Sequence, residues 1–160
     1  MKTLKLEEST AKRLYKNADK EFRVVLEESF GKEFFSEKIT DKIQDLSDIF
    51  NYLGVDESDV YIFPKNTKDK FQRYINACAI IPKIVEVYNE KEELDWSNTS
   101  IYKYLPYYKK VGSGWVFSGR DSWGSFTYGS AAHHFKRLEL LQDACKKFDQ
   151  VYVDFYSYKG

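Results

Sequence analysis

Between residues 102 and 128 the chain carries nine aromatic rings, at Tyr102, Tyr104, Tyr107, Tyr108, Trp115, Phe117, Trp123, Phe126 and Tyr128, with glycine at 112, 114, 119, 124 and 129. Aromatic β-formers interrupted by glycine cannot sustain a long helix. They predict short antiparallel strands joined by tight turns. The expected strands are 102–109, 114–118, 123–128 and 131–135, a meander spanning about 101–135. Side chains alternate faces along a strand, so Trp115 and Phe117 share one face and Val116 takes the other. Gly112-Ser113-Gly114 lacks the Gly-Lys-Ser/Thr ending of a phosphate loop and opens no helix, so it reads as a hairpin turn. The five-residue glycine spacing from 114 to 129 cannot keep glycine on one face of a continuous strand, which again points to several short strands.

Helical spacing dominates on both sides of this block. Thr3 to Leu6 is an extended lead-in or short strand. Ser9 and Thr10 cap a first helix with Ala11, Leu14 and Tyr15 on one side. Asp19 caps a second helix carrying Phe22, Val25, Leu26 and Phe30, which Gly31 ends. Phe34 and Phe35 plug the connection. Thr40 or Ser47 caps a helix with Ile49, Phe50 and Leu53 inward, stopped by Gly54. Residues 55–66 read as a loop. Thr67 caps a long central helix through Phe71, Tyr74, Ile75, Cys78, Ile81, Val85 and Tyr88, which Pro82 is expected to kink or divide near Cys78–Ile81. A last helix, from about Arg137 to Tyr156, aligns Leu138, Leu141, Ala144, Cys145, Phe148, Tyr152 and Phe155 in one apolar stripe. The fold class is α+β: N-terminal helices, a short antiparallel meander, and a closing amphipathic helix packed on the sheet.

At 160 residues the chain fits a single domain, 1–160, and its 42% hydrophobic content supplies a core. Met1 to Thr10 is charged, with none of the apolar run of a signal peptide, and no stretch approaches a bilayer span. Cys78 and Cys145 sit inside apolar helical patterns and read as small core residues. These features imply a cytoplasmic, reducing setting and no membrane partner.

Several strings stand out together. They are Phe30-Gly31-Lys32 after a charged helix, the Asp95-Trp96-Ser97-Asn98 turn, Tyr102-Lys103-Tyr104-Leu105-Pro106-Tyr107, Gly114-Trp115-Val116-Phe117, and Phe135-Lys136 before the closing helix. They resemble a family of small proteins encoded by Bacteroidetes bacteria, their phages and integrated mobile elements. The resemblance covers most of the chain and rests on structural rather than catalytic motifs. One departure is Ala131-Ala132-His133-His134, where the family carries a small-basic-apolar run. The family has no assigned activity, so the resemblance implies a genomic setting and no mechanism.

Net charge is zero overall, which gives no global attraction to nucleic acid or anionic membrane. Locally the balance differs. Residues 101–137 hold Lys103, Lys109, Lys110, Arg120, Lys136 and Arg137 against Asp121 alone, a surplus of about +5. Tyr, Trp and Arg dominate protein-binding hot spots because they bury large area at small entropic cost. The favoured reading is a non-enzymatic protein-interaction module whose contacts are Tyr104, Tyr107, Trp115, Arg120, Trp123 and Tyr128. The same residues suit single-stranded nucleic acid, where rings stack on bases and cations track phosphates. That is the first alternative, although a covering helix consumes half the rings and the ribonucleoprotein sheet signature is absent. The second is an enzyme using His133 or His134 as a general base, which requires a carboxylate and a nucleophile in a cleft. Adjacent histidines on a strand point to opposite faces and no second Cys/His cluster accompanies them, so no metal and no cofactor is expected.

Overall fold

A computed structural model describes residues 6–123 and 131–158, with all their side chains except those of Glu33 and Trp123. The lead-in expected at Thr3–Leu6 lies, up to residue 5, outside them. The chain divides into two compact units, Met1–Lys38 and Ile39–Gly160.

The first unit is a helical hairpin, α1 (Glu8–Asn17) and α2 (Lys20–Phe30), followed by a 3-10 turn at Lys32–Phe35. Asp19 caps α2 by accepting from the Phe22 amide at 2.8 Å, and Gly31 ends it at φ 85°. Ser9 and Thr10 do not cap α1. They lie within its first turn, and Glu7 precedes it without a side-chain cap. The phenylalanine plug is a ring cluster in which Phe35 stacks on Tyr15 at 4.2 Å and Phe34 on Phe30 at 5.2 Å. Ala11 and Leu26 are buried, whereas Phe22 and Val25 are exposed.

The second unit is α+β. Short helices α3 (Ile39–Lys42), α4 (Leu46–Leu53) and α5 (Glu57–Val60) lead to the long α6 (Lys70–Tyr88). A two-stranded antiparallel sheet, β1 (Lys103–Val111) and β2 (Gly114–Trp123), comes next, and α7 (Leu138–Lys147) and α8 (Asp149–Tyr156) close the chain. The caps are aspartates rather than the threonines and serine expected. Asp45 and Asp48 form a reciprocal capping box on α4, and Asp69 caps α6 through the Gln72 amide. Thr67 sits two residues back, its hydroxyl accepting from the Asp69 amide. Carboxylates outrank threonine as N-caps, which accounts for the shift. Pro82 leaves α6 as one 19-residue helix. Its core face is carried by Ala77, Ile80, Ile81, Ile84, Val85, Val87 and Tyr88.

Two further expectations change. The strand placed at 131–135 is a 3-10 turn at Ala131–His133 followed by a single bridge between Phe135 and Tyr104. The Asn89 side chain explains this. It donates to the His134 carbonyl at 2.8 Å and accepts from the Lys136 amide at 2.9 Å, occupying groups a ladder would use. Farther along β1, Pro106 has no N–H, and its carbonyl accepts from the Tyr156 hydroxyl at 2.8 Å. The strand expected at 123–128 lies, beyond Trp123, outside the described residues. The closing helix is two helices, broken at Phe148 (φ −113°, ψ 27°), whose buried ring meets Tyr88 edge-on at 6.2 Å. Breaking the rod there lets α7 pack on β1 and α8 on β2. The core joins Ile49 and Phe50 of α4, Ile80, Ile84 and Tyr88 of α6, Phe135, and Leu140, Leu141 and Tyr152 of the closing helices.

Candidate functional site

The register of the hairpin decides which residues work together. Tyr108 pairs with Phe117 and Tyr107 with Gly119, so Ser118 is an extra residue and β2 bulges there. Gly119 takes the bulge at φ 141°, a conformation that residues with a Cβ rarely adopt. The insertion shifts β2 by one position. One face carries Tyr104, Pro106 and Tyr108 of β1 with Trp115, Phe117 and Arg120 of β2. The other carries Leu105, Tyr107, Lys109 and Val111 with Val116 and Asp121.

The closing helices cover the first face. Tyr108 is buried, stacked on Tyr156 at 5.0 Å and Tyr152 at 6.0 Å, and donates to Asp149 Oδ1 at 3.0 Å. Burial pushes the Tyr108 hydroxyl well above its ordinary pKa, pushes Tyr156 up to about 12, and raises the Cys145 thiol among them to about 12. Trp115, Phe117 and Tyr104 pack against the core from this side, and the Arg120 guanidinium lies 5.1 Å over the Tyr104 ring.

The second face is open. Tyr107 is 56% exposed, Val111 54% and Val116 42%. Lys109 stands exposed toward the tip and Asp121 exposed toward the base. At the base Lys103 leaves solvent altogether; its Nζ donates to the Asn98 carbonyl at 2.9 Å and lies 5.5 Å over the Trp96 ring.

The six residues expected to form one contact surface are therefore distributed over two faces. Tyr104, Trp115 and Arg120 lie on the helix-covered side, and Tyr107 lies on the open side. The backbone of Trp123 pairs with Lys103, its side chain is outside the described residues, and so is Tyr128. Tyr104 and Tyr107 are three residues apart on unbulged β1, an odd spacing that puts them on opposite faces, while the bulge in β2 brings Arg120 onto the face of Trp115. Val111, Val116 and Leu105, absent from the expected set, share the open face with Tyr107. Their alternation with the buried rings was the signal for them.

Structure also redistributes the basic surplus. Lys136 contacts Glu90 at 3.0 Å and Glu92 at 2.9 Å, and Arg137 contacts Glu139 at 3.1 Å. With Lys103 buried, the exposed cations of the region without a carboxylate partner among the described residues are Lys109, Lys110 and Arg120.

The histidines sit apart from any described recess. His134 is fully buried with Trp96 edge-on at 5.1 Å. His133 is half-buried against Phe155 at 5.3 Å, and burial lowers its pKa. A recess of about 510 Å³ at the end of α6 is lined by Pro82, Val85, Glu86, Leu94, Trp96 and Ala132 among others, with neither histidine in its wall. Among the described residues no cluster of His, Cys, Asp and Glu could hold a metal ion, and no helix is long and apolar enough to cross a membrane. No family model, curated protein or solved structure matches the chain.

Proposed function

We propose that the protein is a non-enzymatic protein-interaction module of the accessory type found in phages and mobile elements of Bacteroidetes, acting in the cytoplasm. Its docking surface is the open face of the β1–β2 hairpin. One observation carries this reading: Tyr107, Val111 and Val116 stand exposed together on one side of a sheet whose other side packs on helices. Grouped apolar exposure with a tyrosine at its centre is the chemistry of a binding hot spot.

The test is affinity capture from a Bacteroidetes extract with the full chain. Tyr107→Asp combined with Val116→Lys should lose the captured protein, and Ile62→Ser, at a 63% exposed position elsewhere, should keep it. A centred tyrosine contributes ~2 kcal/mol or more, roughly a thirtyfold change in retention. Equal capture by both variants would remove the hairpin from the reading.

A further inference from the structure

The open face is self-complementary, and we infer that it pairs with the same face of a second copy of this chain; the inference rests on the proposed docking role of that face. Its exposed layers, from base to tip, are Leu105 with Asp121, Tyr107 with Gly119, Lys109 with Val116, and Val111 with Gly114, while Lys103 below them is buried beneath Trp96. The centre is Tyr107 beside Gly119, where no atom lies within 4 Å of the missing Cβ. One flanking layer holds a cation, Lys109, and the other holds an anion, Asp121. Neither has an ion-pair partner among the described residues.

A two-fold axis midway between the two stacked sheets, level with the Tyr107 layer and perpendicular to the strands, reverses the order of layers. Each Lys109 then lies over Leu105 of the second copy, one strand spacing (~4.8 Å) from that copy's Asp121, a gap its side chain spans. Both ends of the contact gain an opposite-charge pair, and Tyr107 fills the middle. A two-fold along the strands would instead keep Lys109 in one layer with the second copy's Lys109 and Asp121 in one layer with its Asp121, so charge selects the antiparallel arrangement. The four exposed layers span about 20 Å by about 10 Å. That footprint is well under the ~800 Å² per partner of a standard interface, so the dimer is weak and reversible.

Analytical ultracentrifugation of the full chain from ~10 µM to ~1 mM, bracketing a weak association, tests this. The weight-average mass should rise from 18.9 kDa toward twice that value. Lys109→Asp and Asp121→Lys should each hold the chain monomeric, since each creates two like-charge contacts across the axis. An equimolar mixture of the two variants should associate again, because every altered residue then meets its opposite. Far-UV circular dichroism confirms that each variant folds. A wild type that stays monomeric at the top concentration overturns the inference, and so does a mixture that fails to reassociate. Neither result touches the capture experiment, whose outcome depends on a foreign protein.

Discussion

At the scale of single residues, the interior of the second unit is organised by tyrosine hydroxyls with unequal partners. Tyr88 and Tyr152 are both at most 1% exposed. Tyr88 donates to Asp143 Oδ2 at 2.7 Å, whereas the Tyr152 hydroxyl has no hydrogen-bond partner among the described residues. A buried unsatisfied group costs what a satisfied one does not, so size and burial mislead about these two positions. Tyr88→Phe should lower the free energy of unfolding by ~1 kcal/mol, and Tyr152→Phe should leave it unchanged or raise it; urea titration of the two variants checks the order. The apolar stripes identify both tyrosines as inward-facing. The hydroxyl partners of Tyr88 and Tyr108 were not legible, because Asp143 and Asp149 lie 55 and 41 residues away and look like surface carboxylates on helix α7 and at the start of α8. The same burial gives a pH dependence. Cys145 has its pKa raised from 9.0 to about 12, so above pH 9 the unfolded chain ionises and the folded one does not. Stability is intact below pH 9 and is lost as pH rises toward 12, with the buried tyrosines adding to the loss from their ordinary value of 10.0 upward. Cys145→Ala should delay the onset of the fall in urea midpoint, and an unchanged profile would remove the thiol from this account.

At the scale of elements, glycine does different work at two neighbouring positions. Gly119 holds the bulge at φ 141°, whereas Gly114 has an ordinary φ, and a Cβ added there would lie 3.9 Å from its nearest neighbour, the Val111 carbonyl oxygen. Gly119→Ala is expected to destabilise by ~1–3 kcal/mol through backbone strain, while Gly114→Ala stays within ~0.5 kcal/mol. Thermal unfolding of both variants reads the contrast. The equal spacing of the glycines in sequence hides it, since spacing carries no dihedral. Helix ends were legible where one candidate stood alone, as at Asp19, Gly31 and Gly54. They were missed where an aspartate stood near a hydroxyl residue, as with Asp69 beside Thr67. The division at Phe148 was not legible for another reason. Its side chain keeps the apolar stripe in phase, and only contact with Tyr88 and the hairpin favours the break.

For the whole molecule, the distribution of charge separates the proposed protein-binding role from nucleic-acid binding. Counting residues gives the 101–137 region a surplus of about +5, but folding brings Glu90 and Glu92 onto Lys136 and buries Lys103 beneath Trp96. These partners come from the end of α6 and the loop after it, so a count along the chain could not anticipate them. Three exposed cations remain: Lys109 on the open face, and Lys110 and Arg120 on the other. Each phosphate contact to a single strand adds about −0.7 to the slope of log K against log salt, so three give a slope of about −2. Base stacking is equally constrained, since Trp115, Tyr104 and Tyr108 are engaged with the core and Tyr107 is the described ring of the hairpin strands that stands more than half exposed. Titration of a labelled single strand at several salt concentrations should therefore show a slope no steeper than about −2. A steeper slope, abolished by Lys109→Glu with Lys110→Glu, would mean that cations outside this set reach the phosphates and that the hairpin is a nucleic-acid surface.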